Sequence, residues 1–202
     1  MDSITISCAR SVDVPAIVAI HQQSFKNFFL TSLGRNFLEL YYSSFIRCGE
    51  GVVYCAYRDN EVLGFSACSY ISHGFNTMLI RKNILKFGIV AVHLLFTKPK
   101  ALFRLAKNLN KKSRNTSVAD NGRYAELYSI AVSPNCQGNG IGRLLLSSIE
   151  ENVKKHNNQI SLTTDYYNND KTILFYKALG YVEYYDFLTY PNRRMWRMIK
   201  NI

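Results

Sequence analysis

The chain has 202 residues, of which 48% are hydrophobic and 19% are charged. This length and composition exclude a disordered chain and predict a single folded domain over residues 1–202. The formal net charge is +11, from 25 basic and 14 acidic residues. A basic chain can bind nucleic acid, but no helix-turn-helix or RNP-type motif accompanies the charge, so we expect no nucleic-acid partner.

The cysteines and histidines do not have the spacing of a metal site. The five cysteines form no C-x-x-C pair, and the four histidines stand far apart at positions 21, 73, 93 and 156. We therefore expect no metal, and we interpret the cysteines as reduced thiols of a reducing compartment. The N-terminus has no basic and apolar leader pattern, which favours a cytoplasmic location.

In chain order, the N-terminal half alternates between strand and helix patterns. Ile4–Arg10 has the alternation of a strand, and Asp13 with Pro15 is typical of a helix start. The next elements are predicted from a helical apolar stripe and a hairpin signal: a helix at Asn36–Cys48 and strands at Val52–Tyr57 and Glu61–Tyr70.

Residues 72–120 form a basic segment with two amphipathic helical patterns. No Asp or Glu occurs from Val62 to Ala119, whereas ten Lys and Arg residues do. Asn83–Phe96 is an almost continuous apolar run, too short for a bilayer span of about 20 residues, and a second helical run follows Pro99. The segment is therefore either a pair of helices on a membrane surface or a helical pair packed on the core or on a second subunit of a homodimer. Its charge indicates an anionic partner, either lipid headgroups or a phosphorylated substrate.

A glycine-rich loop follows the β-like run Leu127–Val132 and precedes an amphipathic helix at residues 141–156. Residues 132–146 read V-S-P-N-C-Q-G-N-G-I-G-R-L-L-L. Glycines let successive amides turn toward one point, and the helix start adds unpaired N–H groups and a positive dipole end. Such a loop suits a phosphate or pyrophosphate, and Arg143 can add a charge-assisted contact. The G-x-G-x-G spacing without a following Lys-Ser or Lys-Thr excludes the P-loop and the dinucleotide fingerprint.

A second motif lies downstream, after a fifth strand at Gln159–Thr164. It reads Asn169-x-x-Thr172-x-x-Phe175-Tyr176-x-x-Leu179-Gly180-Tyr181. The pattern predicts a helix over residues 169–179, which begins at Asn169 and ends at Gly180. Two strands, Tyr181–Tyr190 and Arg193–Ile199, close the chain as a hairpin.

The Q-x-x-G-x-G loop and the N-x-x-T-x-x-F-Y helix together resemble the GNAT superfamily of acyl-CoA N-acyltransferases. The resemblance implies an α/β fold with a central mixed twisted sheet flanked by helices. In that fold strands 4 and 5 splay around the CoA arm, and this chain adds a helical insertion before strand 4. It also implies acetyl-CoA as co-substrate. The segment F-F-L-x-x-L-G-x-x-F-L-x-x-Y-Y at residues 28–42 resembles members associated with bacterial surface-polysaccharide synthesis.

The resemblance implies a role for each matching residue. Tyr176 is expected near the CoA sulfur as general acid, and Glu126 as general base. The pantetheine arm and acetyl group are expected on Ile130, Ala131, Val132 and Asn169. The pyrophosphate is expected on Gln137, Gly138, Asn139, Gly140, Ile141, Gly142 and Arg143. The residues themselves leave structural alternatives open: packing at a helix–sheet contact for Tyr176, and an ion pair with Arg123 or another basic side chain for Glu126.

The expected reaction is direct acetyl transfer from acetyl-CoA to a small primary amine within a ternary complex. The basic segment favours an anionic acceptor, such as an amino sugar on a nucleotide or lipid carrier. Two alternatives are N-acetylation of a peptide or protein, and a non-catalytic CoA-binding module that docks on a membrane. A peripheral location at the inner face of the membrane is compatible with the same segment.

Overall fold

The computed structural model describes residues 3–109 and 118–202, which form a seven-stranded mixed sheet with helices on both faces. The strands are β1 (Thr5–Cys8), β2 (Gly51–Arg58), β3 (Glu61–Ser69), β4 (Ala125–Val132), β5 (Gln159–Asp165), β6 (Val182–Thr189) and β7 (Arg193–Asn201), in the order β1-β2-β3-β4-β5-β7-β6. The helices are α1 (Val14–Ser24), α2 (Phe29–Ser32), α3 (Arg35–Arg47), α4 (Phe75–Lys82), α5 (Ile84–Thr97), α6 (Pro99–Leu109), α7 (Ile141–Val153) and α8 (Asp170–Lys177). The predicted mixed sheet flanked by helices is confirmed.

The two faces of the sheet are covered by different helices. On one face, α1 and α3 bury large side chains such as Ile17, Tyr42 and Phe45 against β2, β3 and β4. On the other face, α7 packs Leu146 and Ile149 against the middle strands. This sandwich leaves the ends of β4 and β5 as the place where a ligand can enter the sheet.

β4 and β5 run parallel and are paired over only three residues of each strand, from Ala125 to Leu127 in β4. Beyond this point the two strands separate, as the predicted splay requires. A β-bulge accompanies the separation, because Ala67 and Cys68 of β3 face Ser129 and Leu127, which leaves Tyr128 as the extra residue of β4. The edge of β4 after Leu127 is therefore open toward β5.

The described part of the basic segment consists of α4, α5 and α6, and its predicted helical character is confirmed up to Leu109. Residues 110–117 of the predicted insertion lie outside the described residues. α5 packs on α3, where the rings of Phe87 and Phe37 meet edge to face at 6.0 Å between centroids. In the described chain, no helix is both long enough and apolar enough to cross a membrane.

Candidate active site

The glycine-rich loop connects β4 to α7 through a short 3₁₀ turn at Pro134–Cys136. Gly138 and Gly140 have φ angles of +83° and +76°, a conformation that glycine adopts without strain. The side chains of Gln137 and Asn139 stabilise the loop itself, because their amides donate to the carbonyls of Val132 (3.3 Å) and Cys136 (3.2 Å). The loop therefore presents backbone rather than side-chain groups to a ligand.

The backbone amides of the loop form an anion cradle at the N-terminus of α7. The amides of Arg143 and Leu144 donate to the Gly140 carbonyl. No acceptor among the described residues pairs with the amides of residues 138–142. These free N–H groups lie at the positive end of the α7 dipole, an arrangement that can bind an anion such as a phosphate group.

A cleft of about 900 Å³ extends from this loop between the separated ends of β4 and β5. It is lined by nearly all of the residues that the motifs predicted: Ile130, Ala131, Val132, Gln137, Gly138, Gly140, Ile141, Gly142, Arg143, Asn169 and Tyr176. Asn139 and Glu126 are not among its lining residues. The loop, the open edge of β4 and the start of α8 thus form one continuous surface.

Tyr176 lies in α8 with its side chain 6% exposed and its ring against that of Tyr181. Burial raises the pKa of its phenol above the usual value, so the hydroxyl is protonated at neutral pH. Its hydroxyl has no hydrogen-bond partner among the described residues. Asn169 precedes the helix, and its side-chain amide donates to Thr164 Oγ1 (2.5 Å) and to the Asp165 carbonyl (3.2 Å). Both predicted residues therefore lie on the β5 side of the cleft.

Glu126 is buried at the start of β4, where the two strands are still paired. Its Oε1 atom lies 2.6 Å from Nη1 of Arg197 in β7, and the Ser72 hydroxyl donates to its other carboxylate oxygen. The ion pair that the sequence left open as a structural alternative is thus present, with Arg197 as the basic partner in place of Arg123. The role of Glu126 as general base stays a prediction, since its carboxylate is engaged outside the cleft lining.

His21 is a cleft residue that the sequence motifs did not identify. It lies in α1, and its Nδ1 is 2.7 Å from the hydroxyl of Tyr42, which donates to Ser129 Oγ at 3.1 Å. In the tautomer in which Nδ1 donates to Tyr42 and Tyr42 donates to Ser129, Nε2 of His21 carries the lone pair. Nε2 is buried and has no partner among the described residues. Burial lowers the pKa of His21 to about 4, so the imidazole is neutral at pH 7.

The cleft lining also contains phenylalanine rings and the guanidinium group of Arg193, whereas Arg104 is not among its lining residues. Phe28 and Phe29, from the connector between α1 and α3, line the cleft. Arg193 lies 4.4 Å over the Phe28 ring and forms a bidentate ion pair with Asp165, at 2.5 Å for each bond. Arg104 of α6 lies 4.9 Å over the Phe29 ring, and its buried Nε has no partner among the described residues.

The described residues contain no group of three His, Cys, Asp or Glu side chains that could hold a metal ion. The cysteines in these residues are free thiols. Among these cysteines, Cys136 is the residue that lines the cleft.

Solved structures share this fold over almost the whole chain at low sequence identity. The ribosomal-protein-S18-alanine N-acetyltransferase from Escherichia coli is 17% identical, with a TM-score of 0.62, over 99% of this chain and 94% of that one. The ribosomal-protein-alanine N-acetyltransferase from Brucella melitensis is 17% identical, with a TM-score of 0.61, over 98% and 99%. The protein yncA from Salmonella typhimurium, solved with its cofactor acetyl-CoA, is 15% identical, with a TM-score of 0.60, over 99% and 94%.

No curated protein sequence matches the chain significantly. The sequence model of the Acetyltransferase (GNAT) family, by contrast, matches residues 15–181. This range contains the glycine loop, both separated strands and α8. The chain therefore belongs to the GNAT family of acetyltransferases.

Proposed function

We propose that this acetyltransferase transfers the acetyl group of acetyl-CoA directly to a primary amine in the cleft between β4 and β5. One observation carries the proposal: a single cleft is lined by the glycine loop with its free amides, by Tyr176 and by His21, whose Nε2 has no partner among the described residues. An anion cradle, a protonated phenol and a free lone pair are the three groups that amine acetylation by a thioester needs.

The residues of the chain fit acetyl-CoA, which supplies an acetyl thioester with a thiolate leaving group. Gly138, Gly140 and Gly142 would hold the pyrophosphate through backbone amides, and Arg143 would add a charge at the same place. The open edge of β4 at residues 128–132 offers backbone groups to the amides of the pantetheine arm. Asn169 borders the same path with its side-chain oxygen, since its nitrogen is already engaged.

His21 is the residue that we assign to the acceptor amine. Its neutral Nε2 accepts a hydrogen bond from the amine and takes the proton as the new C–N bond forms, when the nitrogen becomes acidic. A pKa of about 4 makes His21 a poor acceptor for the proton of a strongly basic ammonium ion. An acceptor of low basicity, such as an amino sugar or an α-amino group, therefore fits the site better than a lysine side chain.

Tyr176 supplies the proton that the departing thiolate takes up. Its phenol is protonated because burial raises its pKa, and its hydroxyl is free to donate. Tyr176→Phe removes this proton donor while leaving the ring in place. We expect a fall in kcat of about 10²-fold or more, with acetyl-CoA affinity almost unchanged. Unchanged turnover would remove the acid role.

The surroundings of Cys136, the thiol that lines the cleft, favour direct acetyl transfer over a route through an acyl-enzyme. Cys136 lines the cleft, but its side chain has no hydrogen bond to an imidazole or carboxylate in the described chain. A cysteine nucleophile requires such a base or a positive neighbour to become a thiolate. Both substrates would therefore be bound together when the acetyl group moves.

The acceptor that we favour carries an anionic group as well as its amine. Arg104 and Arg193 stack on the neighbouring Phe28 and Phe29, and Arg104 has no carboxylate partner among the described residues. Burial and the nearby Arg193 charge lower the pKa of Arg104, so an anion between the two guanidinium groups would relieve an unfavourable contact. An amino sugar on a nucleotide or lipid diphosphate has this chemistry, and it would connect the enzyme to surface-polysaccharide synthesis.

N-acetylation of a peptide is the second candidate. Two structural neighbours are ribosomal-protein-alanine N-acetyltransferases, and an α-amino group has the low basicity that His21 favours. The two candidates differ in what Arg104 and Arg193 would bind: a diphosphate in one case and an acidic side chain in the other.

The test has two arms, which separate the co-substrate from the acceptor. First, saturating acetyl-CoA should raise the melting temperature of the purified protein, because a ligand of the native state stabilises it. Second, CoA-thiol release should be measured with amino-sugar nucleotides, polyamines and alanine-terminated peptides. Release with an amino-sugar nucleotide supports the proposal, whereas release with peptides alone supports the second candidate. The absence of a melting shift contradicts the acetyl-CoA site itself.

A further inference from the structure

One side of α5 exposes a continuous apolar surface. Six large side chains are between 55% and 81% exposed: Ile84, Leu85, Ile89, Val92, Leu95 and Phe96. All six fall within about 140° of arc when the helix is viewed down its axis. We refer to these six residues as the α5 apolar face. The core contact of the helix is made by other residues, since Phe87 and Leu94 are the buried ones.

The polar part of α5 is a narrow strip formed by Lys86, His93 and Thr97. A helix that is apolar on almost every side is found where it is covered all round, in a core or by a partner. Single exposed apolar residues are common on protein surfaces, but a contiguous patch marks an interaction site. The α5 apolar face is therefore a surface with a partner of its own.

Cations border this face at both ends and along its side. Arg81 and Lys82 are the last two residues of α4, just before α5. Lys98 and Lys100 lie where α5 ends and α6 begins, and Lys86 lies within α5. All five residues are exposed. No Asp or Glu occurs anywhere from residue 62 to residue 119. The partner is therefore apolar at its centre and anionic at its rim, as a bilayer with acidic headgroups is.

We propose that the α5 apolar face docks on an anionic membrane surface with the helix lying in the plane of the membrane. The 14 residues of α5 extend about 21 Å, which is short of the roughly 30 Å hydrocarbon core, so the helix lies in the interface. Its apolar side chains reach the acyl chains while Arg81, Lys86 and Lys100 remain among the headgroups. The ammonium groups of Lys82 and Lys98 donate to the carbonyls of Cys48 and Ser32. The protein would then be peripheral to the membrane, held at its surface by α5.

A second copy of the chain fits the same face less well. A two-fold contact presents the same patch on both partners. It would bring the cations that border the patch on one copy toward those on the other, and the segment contains no carboxylate to neutralise them. A bilayer instead offers phosphates at the rim and hydrocarbon at the centre.

Docking through α5 would bring the neighbouring helix α6 close to the membrane. α6 packs on α5, and its Arg104 lies over Phe29 of the cleft. The docking does not depend on acetyl transfer, because no α5 side chain lines the cleft. Its test can therefore fail while the proposed chemistry holds, and the reverse is equally true.

The experiment is co-sedimentation of the full chain with vesicles of phosphatidylcholine alone or mixed equally with phosphatidylglycerol. We expect binding to the mixed vesicles, weakened by high salt because headgroup contacts are screened. The variant Leu85→Gln with Phe96→Gln should bind at least about tenfold more weakly, since two apolar side chains leave the interface. The matched control is Val12→Gln with Val182→Gln, two exposed apolar residues on other elements, which should bind like the wild type.

A spectroscopic readout keeps the proposal falsifiable if one variant folds poorly. Tryptophan fluorescence of Phe96→Trp should shift to the blue with phosphatidylglycerol vesicles, whereas that of Val182→Trp should not. Equal binding by the Leu85/Phe96 variant and the control, or no vesicle binding at all, overturns the proposal. So does a wild-type dimer in sedimentation velocity that Leu85→Gln with Phe96→Gln converts to a monomer, because that result assigns the face to a second copy.

Discussion

Nδ1 of His21 and the hydroxyl of Tyr42 are 2.7 Å apart and join α1 to α3 beneath the cleft. The Tyr42 hydroxyl continues the chain of hydrogen bonds to Ser129 on β4. The three side chains therefore hold the orientation of the imidazole, and with the proton on Nδ1 the lone pair lies on Nε2 of a residue that lines the cleft. This preorganised lone pair distinguishes His21 from a histidine that only fills the core.

Replacement of His21 by a residue without a basic ring nitrogen is expected to slow acetyl transfer. His21→Gln keeps a side chain that can bond to Tyr42 but lacks a basic nitrogen, so kcat should fall by about 10²-fold or more. Steady-state kinetics with the best amine from the screen, together with acetyl-CoA titration, separate turnover from binding. His93→Gln, at an exposed α5 position, is the matched control. Normal turnover in His21→Gln with a large loss in Glu126→Gln would instead assign the base to Glu126.

The same histidine makes stability depend on pH. The pKa of His21 is about 4 in the folded chain and about 6.5 when unfolded, so the unfolded state binds the extra proton between these values. The contribution of His21 to stability is therefore present above pH 6.5 and is lost as pH falls toward 4, by about 3 kcal/mol at most. Urea unfolding at several pH values should show a shallower fall in His21→Gln. Parallel curves for the two proteins would contradict the buried neutral imidazole.

The Glu126–Arg197 pair is expected to stabilise the fold, whatever its role in catalysis. The side chains of Arg197 and Glu126 are only 12% and 11% exposed, so Glu126→Gln leaves a largely desolvated guanidinium without its partner and should lower the free energy of unfolding by about 3 kcal/mol. Combining it with Arg197→Met should recover part of this loss, since the unpaired charge is removed. Glu39→Gln in the exposed Arg35–Glu39 pair is the control, with an expected change within about 0.5 kcal/mol. Equal losses in the two single variants would contradict the argument.

The features that could be predicted from the sequence are those that depend on residues close together in the chain. Gly138 and Gly140 need positive φ, and Asn169 and Gly180 bound a helix, so the loop and α8 are recognisable from short motifs. The strand separation follows from the family resemblance that these motifs carry. Local demands on the backbone are independent of the rest of the fold, and this is why they were predictable.

The contacts that sequence reasoning missed join residues far apart in the chain. Tyr42 and Ser129 are separated by 87 positions, and no spacing rule connects either of them to His21. The carboxylate of Glu126 finds Arg197 rather than Arg123 because β5 and β7 bring that arginine beside the start of β4. The apolar run of α5 could be recognised in the sequence. The periodicity of a run that is apolar on most sides does not show which of those sides packs on the core. Here Phe87 and Leu94 cover only one side.

A glycine of the loop is expected to matter for binding more than for folding. Gly140→Ala meets no atom within 4 Å, so its cost comes from the φ of +76°, which strains alanine by about 1 kcal/mol or more. Relief of this strain would turn the amides away from the cradle and should weaken acetyl-CoA binding, as measured by calorimetry. Gly88→Ala in α5 is the matched control, because it also meets no atom but requires no positive φ. It should leave binding unchanged and slightly stabilise the protein.

Arg104 is expected to select acceptors that carry negative charge. Its guanidinium lies over Phe29 beside a second, ion-paired guanidinium, so Arg104→Gln removes the charge that has no carboxylate partner in the described chain. The KM for an acidic acceptor should rise about tenfold or more, because a charge-assisted hydrogen bond is lost, while kcat changes little. A neutral amine of similar size should show no change in KM, and Lys107→Gln, one turn away on α6, should behave like the wild type with both acceptors. An equal rise in KM for neutral and acidic amines would mean that Arg104 shapes the cleft without recognising charge.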